Sequence, residues 1–258
     1  MAEIKWNKLG AYLKETQILG SIQNTLYWDQ NTGMPKKGAS WRSEQLTYIA
    51  KILHRRNSSE EFSNLIQSAK NELLDAEQNS NNQLFIKGKE RNINLLIKEF
   101  NRAKNLDPKL IESLAKAKSK GYQSWQEAKK KSDFKVFLPF FEELVKLRIE
   151  EAKQISDQYS PWETLAQPFE PELTLKWLNK MFQPLKDALP DLIRGISKSK
   201  KYNWVLSPES QQNLCSKLLD EFGRDKDLVV VGKSPHPFSI TLGPVSYTHL
   251  TLPTIYSV

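Results

Sequence analysis

Residues Phe134–Ala152 read FKVFLPFFEELVKLRIEEA, and their spacing decides the fold class. Apolar side chains recur three or four residues apart, and lysines and glutamates occupy most of the positions between them. That period is the one of an α-helix with a single apolar face. The stretch therefore predicts a helix, with Ser132 or Asp133 as its N-cap.

Similar helical spacing continues on both sides of this stretch. In chain order, the other predicted helices are Glu3–Thr25, Gly38–Leu53, Ser59–Glu77, Leu84–Lys104, Pro108–Lys130, one opening at Phe169-Glu170-Pro171, and Pro208–Phe222. Asp107 precedes Pro108 as an N-cap, and Ser59 with two following glutamates indicates another helix start. The run Leu228–Gly232 is the longest β-branched one and predicts a strand. We expect a mainly α protein with a short β segment near residues 228–242.

The composition excludes several classes of protein. A chain of 258 residues with 39% apolar residues can bury a core, which rules out disorder of the whole chain. The single cysteine, Cys215, cannot form an internal disulfide and is expected to be a buried helical thiol. Because the start of the chain resembles no secretory signal and no apolar run reaches membrane-spanning length, we expect a cytoplasmic protein with no membrane partner.

Charge is distributed unevenly along the chain. The formal net charge is +8, and all 68 charged residues precede Ser234, so the last 25 residues carry none. A Lys-rich stretch between Lys116 and Lys135, with Tyr122 and Trp125 interleaved, would suit nucleic acid. Lysines on helices are more often a solvated face, however, so we expect no nucleic-acid partner.

The segment Leu26–Pro35, LYWDQNTGMP, places large aromatic and amide side chains next to a Gly and a Pro. We interpret it as a connection that exposes Trp28, Asp29 and Gln30 towards a cleft. Arg42, in the next helix, could then bind a carboxylate. The alternative is a helix–helix corner in which Trp28 belongs to the core and Asp29 caps a helix.

The three histidines are His54, His236 and His249, and none has a second ligand at the spacing of a zinc motif. The chain as written is therefore expected to bind no zinc. His236, Pro237 and Phe238 form a rigid turn that aims one imidazole, although a purely structural histidine is the alternative.

Taken in order, three stretches resemble the carboxypeptidase Taq family of zinc metallocarboxypeptidases. They are LYWDQNTGMPKKGASWRSEQL (Leu26–Leu46), SWQEAKKKSDFKVFLPFFEELVKLRIEEA (Ser124–Ala152) and SPHPFSITLGP (Ser234–Pro244). The resemblance implies the N-terminal portion of a long-helix, cleft-type metallopeptidase fold. It also implies a peptide substrate, release of single C-terminal amino acids, zinc, and a homodimer in the intact family.

The family's Asp-x-Arg-x-Thr and His-Glu-x-x-His motifs have no counterpart here. His236, Pro237 and Phe238 match the family's His-Pro-Phe motif, and the sequence after Pro244 departs from the pattern. We therefore expect residues 1–244 to be the N-terminal portion of the metallocarboxypeptidase domain, 245–258 to be a foreign tail, and the chain as written to be inactive. The alternative from a different class is a non-catalytic helical binding or scaffold module.

Overall fold

The computed structural model describes residues 4–77, 83–195, 205–223, 238–242 and 245–249. Within these residues the fold is mainly α, as the sequence predicted. Its helices are α1 (Ile4–Asn31), α2 (Ala39–Asn57), α3 (Glu60–Glu77), α4 (Gln83–Lys104), α5 (Pro108–Lys131), α6 (Leu138–Ile155), α7 (Pro161–Ala166), α8 (Leu175–Gly195) and α9 (Pro208–Glu221). Strands β1 (Phe238–Leu242) and β2 (Val245–His249) pair antiparallel, and the predicted strand Leu228–Gly232 lies outside the described residues.

The described chain forms two compact units. The first unit holds α1–α6 with the β1–β2 hairpin, and the second holds α7–α9. In the first unit, α1, α3 and α4 enclose the larger apolar cluster, which contains Leu9, Tyr12, Phe62, Ile66, Ala69, Leu73, Ile86, Ile93 and Phe100. A smaller cluster forms where Leu106, Leu110 and Leu114 meet α6.

Two predicted helix starts are confirmed by their caps. The Ser59 hydroxyl accepts a hydrogen bond from the Phe62 N–H at 3.0 Å and opens α3. The Asp107 carboxylate accepts one from the Lys109 N–H at 2.8 Å and opens α5. Each cap satisfies an N–H that the first turn of a helix leaves without a partner.

The helix predicted over Phe134–Ala152 is interrupted near its start. Phe134–Val136 form a separate 3₁₀ turn, and α6 begins only at Leu138. Pro139 explains the break, because proline fits the first turn of a helix but clashes with the carbonyl four residues earlier. The Asp133 carboxylate caps the 3₁₀ turn instead, accepting from the Lys135 N–H at 3.0 Å.

In the second unit, the helix predicted at Phe169-Glu170-Pro171 begins later, at Leu175. Glu172 has a left-handed backbone conformation with φ of 69°, which no helix can include. The short helix α7 was not predicted. It begins with a capping box in which Ser160 and Glu163 each bind the other's backbone N–H.

Candidate functional site

The end of α1 carries three of the predicted site residues, Trp28, Asp29 and Gln30. Our assignment of Leu26–Asn31 to a connection was wrong, since α1 runs through these residues to Asn31. The first residues that disfavour a helix are Gly33 and Pro35. The Asp29 carbonyl closes the helix by accepting from the backbone N–H groups of Thr32 (3.2 Å), Gly33 (3.1 Å) and Met34 (3.0 Å).

Arg42 in α2 braces this end of α1. Its Nη2 donates to Asp29 Oδ2 at 2.6 Å, its Nη1 to the Leu26 carbonyl at 2.5 Å, and its Nε to Gln45 Oε1 at 2.8 Å. The planar guanidinium suits such a fork of acceptors, and its side chain is only 13% exposed. Binding of a substrate carboxylate by Arg42 stays a prediction, and it requires the substrate to compete with Asp29.

Gln30 and Trp28 are placed differently on the same turn. Gln30 is buried, and its Oε1 accepts a hydrogen bond from the Ser119 hydroxyl of α5 at 3.3 Å. Trp28 is half-buried. A buried amide needs such a partner to offset its desolvation, so Gln30 ties α1 to the middle of α5.

A groove of about 930 Å³ adjoins this corner, and we call it the lysine groove. Gln30, Met34, Lys36 and Ala39 line one side, and α5 residues between Gln123 and Lys131 line the other. Its charged residues are Lys36, Glu127, Lys129, Lys130 and Lys131. The groove joins two motifs that the sequence presented separately, and its charge favours an anionic group.

Contacts within the groove order part of its α5 side. Lys131 Nζ lies 2.6 Å from Glu127 Oε1. Lys129 Nζ lies 5.3 Å from the centre of the Trp125 ring, and that ring lies 5.7 Å from the Tyr122 ring. Cation–π contacts of this kind hold a charge beside an aromatic face. The groove therefore offers aromatic and cationic surface together.

The other predicted site residues belong to the His-Pro-Phe turn. His236 and Pro237 lie outside the described residues. Phe238 begins β1, where its backbone lies opposite His249 of β2. The strand β1 packs against α1. Any contact of these three side chains with a peptide stays a prediction.

A second pocket lies among α1–α6 of the first unit and opens to solvent beside the exposed residues Glu99 and Lys118, and we call it the interior cavity. Its volume is about 420 Å³. Five charged residues line it, Glu99 and Arg102 from α4, Lys118 from α5, and Arg148 and Glu151 from α6. Glu151 is buried, with its Oε2 2.5 Å from Arg148 Nη1 and its Oε1 3.8 Å from Arg102 Nη2. No sequence motif indicates this cluster, because its members are far apart along the chain.

Burial shifts the titration of several groups at the interior cavity. Desolvation is the main cause of the lowered pKa of His54, and a hydrogen bond with the Leu106 backbone and the charge of Asp107 oppose it. Desolvation likewise lowers the pKa of Arg102 and raises that of Tyr27. Lys118 keeps an exposed surface, yet the protein around its ammonium group and the Arg148 charge lower its pKa. His54 is thus neutral at neutral pH.

Across the described ranges, no three His, Cys, Asp or Glu side chains come close enough to hold a metal ion. The described part of the chain thus does not fit a zinc site. Cys215 is half-buried in α9, less buried than expected. Among the described helices, none is both long and apolar enough to span a membrane.

Several solved structures have the same fold as this chain. A crystal structure named BsuCP superposes with a TM-score of 0.83 at 24% identity, covering 95% of this chain and 49% of that one. A carboxypeptidase from Pyrococcus furiosus and metallocarboxypeptidase 1 from Trypanosoma cruzi each give a TM-score of 0.73 at 22% identity, with the same coverage. The described chain therefore shares its fold with these solved structures.

The family model for carboxypeptidase Taq (M32) metallopeptidases matches residues 8–246, and the chain belongs to that family. Thermostable carboxypeptidase 1 of Thermus thermophilus is 26% identical over 257 residues, which cover 94% of this chain and 49% of the relative. Carboxypeptidase 1 of Bacillus subtilis is 26% identical over 223 residues, or 84% and 43%. The chain thus spans about half the length of the curated relatives it matches. The resemblance read from the sequence is confirmed.

Proposed function

We propose that the protein is a metallocarboxypeptidase that releases single amino acids from the C-termini of peptides by zinc-dependent hydrolysis. The observation that carries the proposal is the family match over residues 8–246. The 258 residues contain no His-Glu-x-x-His motif. No catalytic step can therefore be assigned to residues of this chain, which by itself is expected to be inactive.

Within this function, the lysine groove supplies one wall of the peptide site. The corner built by Asp29 and Arg42 adjoins it through Gln30 and Met34, which also line the groove. Three lysines at the end of α5 and Lys36 face a single carboxylate, Glu127. An excess of positive charge attracts a peptide through its C-terminal carboxylate and acidic side chains.

Two assays test the groove and the activity separately. We expect a peptide with a free C-terminal carboxylate to bind the chain more tightly than its C-terminally amidated form, with affinity that falls as salt rises. Lys130→Gln should weaken this binding, whereas Lys98→Gln, at an exposed site in α4, should not. Equal binding of the two peptides would remove the groove from the proposal.

The peptidase assay compares the chain with and without added zinc. We expect no release of C-terminal amino acids in either case. Stoichiometric zinc binding with hydrolysis would show that this chain holds a site that the described residues lack.

The gene beyond the codon for Pro244 separates the two classes of function. An open frame that encodes Asp-x-Arg-x-Thr and His-Glu-x-x-His supports the peptidase and our proposal that residues 245–258 are foreign. A genuine stop codon downstream of Pro244 supports the non-catalytic binding module instead. The cytoplasmic location and the homodimer stay proposals, to be tested by fractionation and by sedimentation of the intact protein.

A further inference from the structure

The interior cavity is a concave site that the proposed peptidase function does not use. Its volume of about 420 Å³ lies within the range of small-molecule sites, which is about 300–1,000 Å³. All of its lining residues belong to helices α1–α6 or to the turn at Leu106, so the cavity lies entirely within the first unit.

Three cations, Arg102, Lys118 and Arg148, line this cavity with two carboxylates, Glu99 and Glu151, so positive charge is in excess by one. Glu151 is held by Arg148 and lies within 4 Å of Arg102. Lys118 projects from the facing helix, and in the described part of the chain its ammonium group has no hydrogen bond or ion pair. Desolvation and the Arg148 charge lower the pKa of Lys118, and the charge of Glu151 offsets them only in part, so the surrounding protein compensates this cation incompletely. A ligand anion would supply the missing counter-charge.

The rest of the lining is apolar and gives such a ligand a second point of contact. Leu53, Ile111 and Leu114 line the cavity from α2 and α5. The rings of Tyr27 and Phe62 add aromatic surface. Ligand sites typically combine such an apolar wall with a few polar groups that fix the orientation.

We propose that the interior cavity binds a small organic anion whose carboxylate or phosphate head contacts Lys118 and Arg148 and whose apolar body packs on the Leu53 and Leu114 side. A fork of guanidinium donors and a mobile ammonium group suit either head group. None of its residues lines the lysine groove, so variants at Lys118 test this site without changing the proposed peptide wall.

The test measures binding to the full chain by calorimetry at constant ionic strength. The probes are phenyl phosphate, benzoate, inorganic phosphate, and benzyl alcohol as an uncharged analogue. We expect saturable 1:1 binding of phenyl phosphate, benzoate or both, weaker binding of inorganic phosphate, and none of benzyl alcohol. Binding of one aromatic anion alone identifies the preferred head group.

Variants at α5 connect the binding to the cavity. Lys118→Met should lower the affinity for the bound probe about tenfold or more, since one charge-assisted contact is lost. Lys118→Arg, which keeps a cation, should bind within a few fold of the wild type. Lys120→Met removes the same charge from an exposed site on α5 outside the cavity and should leave the affinity unchanged. Circular dichroism checks the fold, and Lys118→Gln replaces Lys118→Met if the latter fails to fold.

Four outcomes would overturn the proposal. They are the absence of saturable binding by either aromatic anion, equal loss of affinity in Lys118→Met and Lys120→Met, equal binding of benzyl alcohol, and binding of inorganic phosphate as tight as that of phenyl phosphate. Equal binding of benzyl alcohol would show that the charged head group is not recognised. Equally tight binding of inorganic phosphate would show that the apolar body is not recognised.

Discussion

Phe62 in α3 and Phe182 in α8 are the same residue type on helices with a clear apolar stripe, yet Phe62 is 3% exposed and Phe182 is 43% exposed. Phe62 stacks on Tyr12 of α1 with ring centres 5.4 Å apart and meets Phe100 of α4 edge to face. In the described part of the second unit, the α8 stripe lies largely on the surface. The apolar pattern marks which face of a helix can be buried, but neighbouring elements decide whether it is buried.

The largest expected effect on stability comes from truncating the buried one of these two phenylalanines. Phe62→Ala should lower the free energy of unfolding of the first unit by about 3–4 kcal/mol, because it leaves a cavity in a packed cluster. Phe182→Ala should cost less than about 1 kcal/mol, since much of that ring already contacts solvent. Hydrogen exchange followed in α3 and α8 peptides measures each unit separately. Equal losses would mean that the α8 stripe is packed.

Charged residues sharpen the same contrast. Glu151→Gln should destabilise the first unit by about 2–3 kcal/mol, because Arg148 and Arg102 then lose a buried counter-charge. Asp191, which pairs with Arg194 on α8, has a 76% exposed side chain. Asp191→Asn should change stability by less than about 0.5 kcal/mol. Denaturant titration of both variants tests this, and a large effect of Asp191→Asn would contradict it.

A pair of arginines gives a smaller difference. Arg42→Met removes hydrogen bonds to Asp29 and to the Leu26 carbonyl and should cost about 1–2 kcal/mol. Arg42→Lys should recover only part of this loss, because an ammonium group cannot form the fork. Arg194→Met, at an exposed site, should be nearly neutral. Thermal unfolding of the three variants ranks them, and full recovery by lysine would argue against the fork.

The smallest effect is a pH dependence confined to the first unit. The folded pKa of His54 lies below its unfolded value near 6.5, so the unfolded chain takes up a proton first as pH falls. The contribution of His54 is therefore complete above about pH 6.5 and is lost as pH falls from that value through the lower pKa of the folded state. We expect the protection factors of α2 amides, corrected for the intrinsic exchange rate at each pH, to fall between neutral and mildly acid pH, and His54→Gln to flatten this response. Residues 156–230 contain no histidine, so α8 should respond little.

Local chemistry explains which elements the sequence predicted well. The bounds of α3, α4 and α5 were predicted to within one residue, because Ser59, Asp107 and Pro108 act on the turns next to them. The capping box of α7, Ser160 with Glu163, is also a local signal, and it was readable in the sequence. The end of α1 was misjudged because Trp28 and Gln30 suggested a site, although neither side chain breaks a helix.

The candidate sites were predictable only in part. The segment around Trp28, Asp29 and Arg42 stood out in the sequence, and so did the lysines of α5, but nothing indicated that Gln30 and Met34 line a groove with those lysines. The interior cavity was not anticipated at all. Arg102, Lys118 and Glu151 each look like an ordinary solvated charge on an amphipathic helix.

By itself, the sequence determined the helical class, the caps and the family, because these depend on residue order over a few turns of chain. Only the tertiary structure decided that Arg42 binds Asp29, that Phe62 is covered while Phe182 is not, and that Arg102 and Arg148 both lie beside Glu151. These outcomes depend on which helix faces come together, and a residue's own neighbours in the chain do not specify the partner across the core.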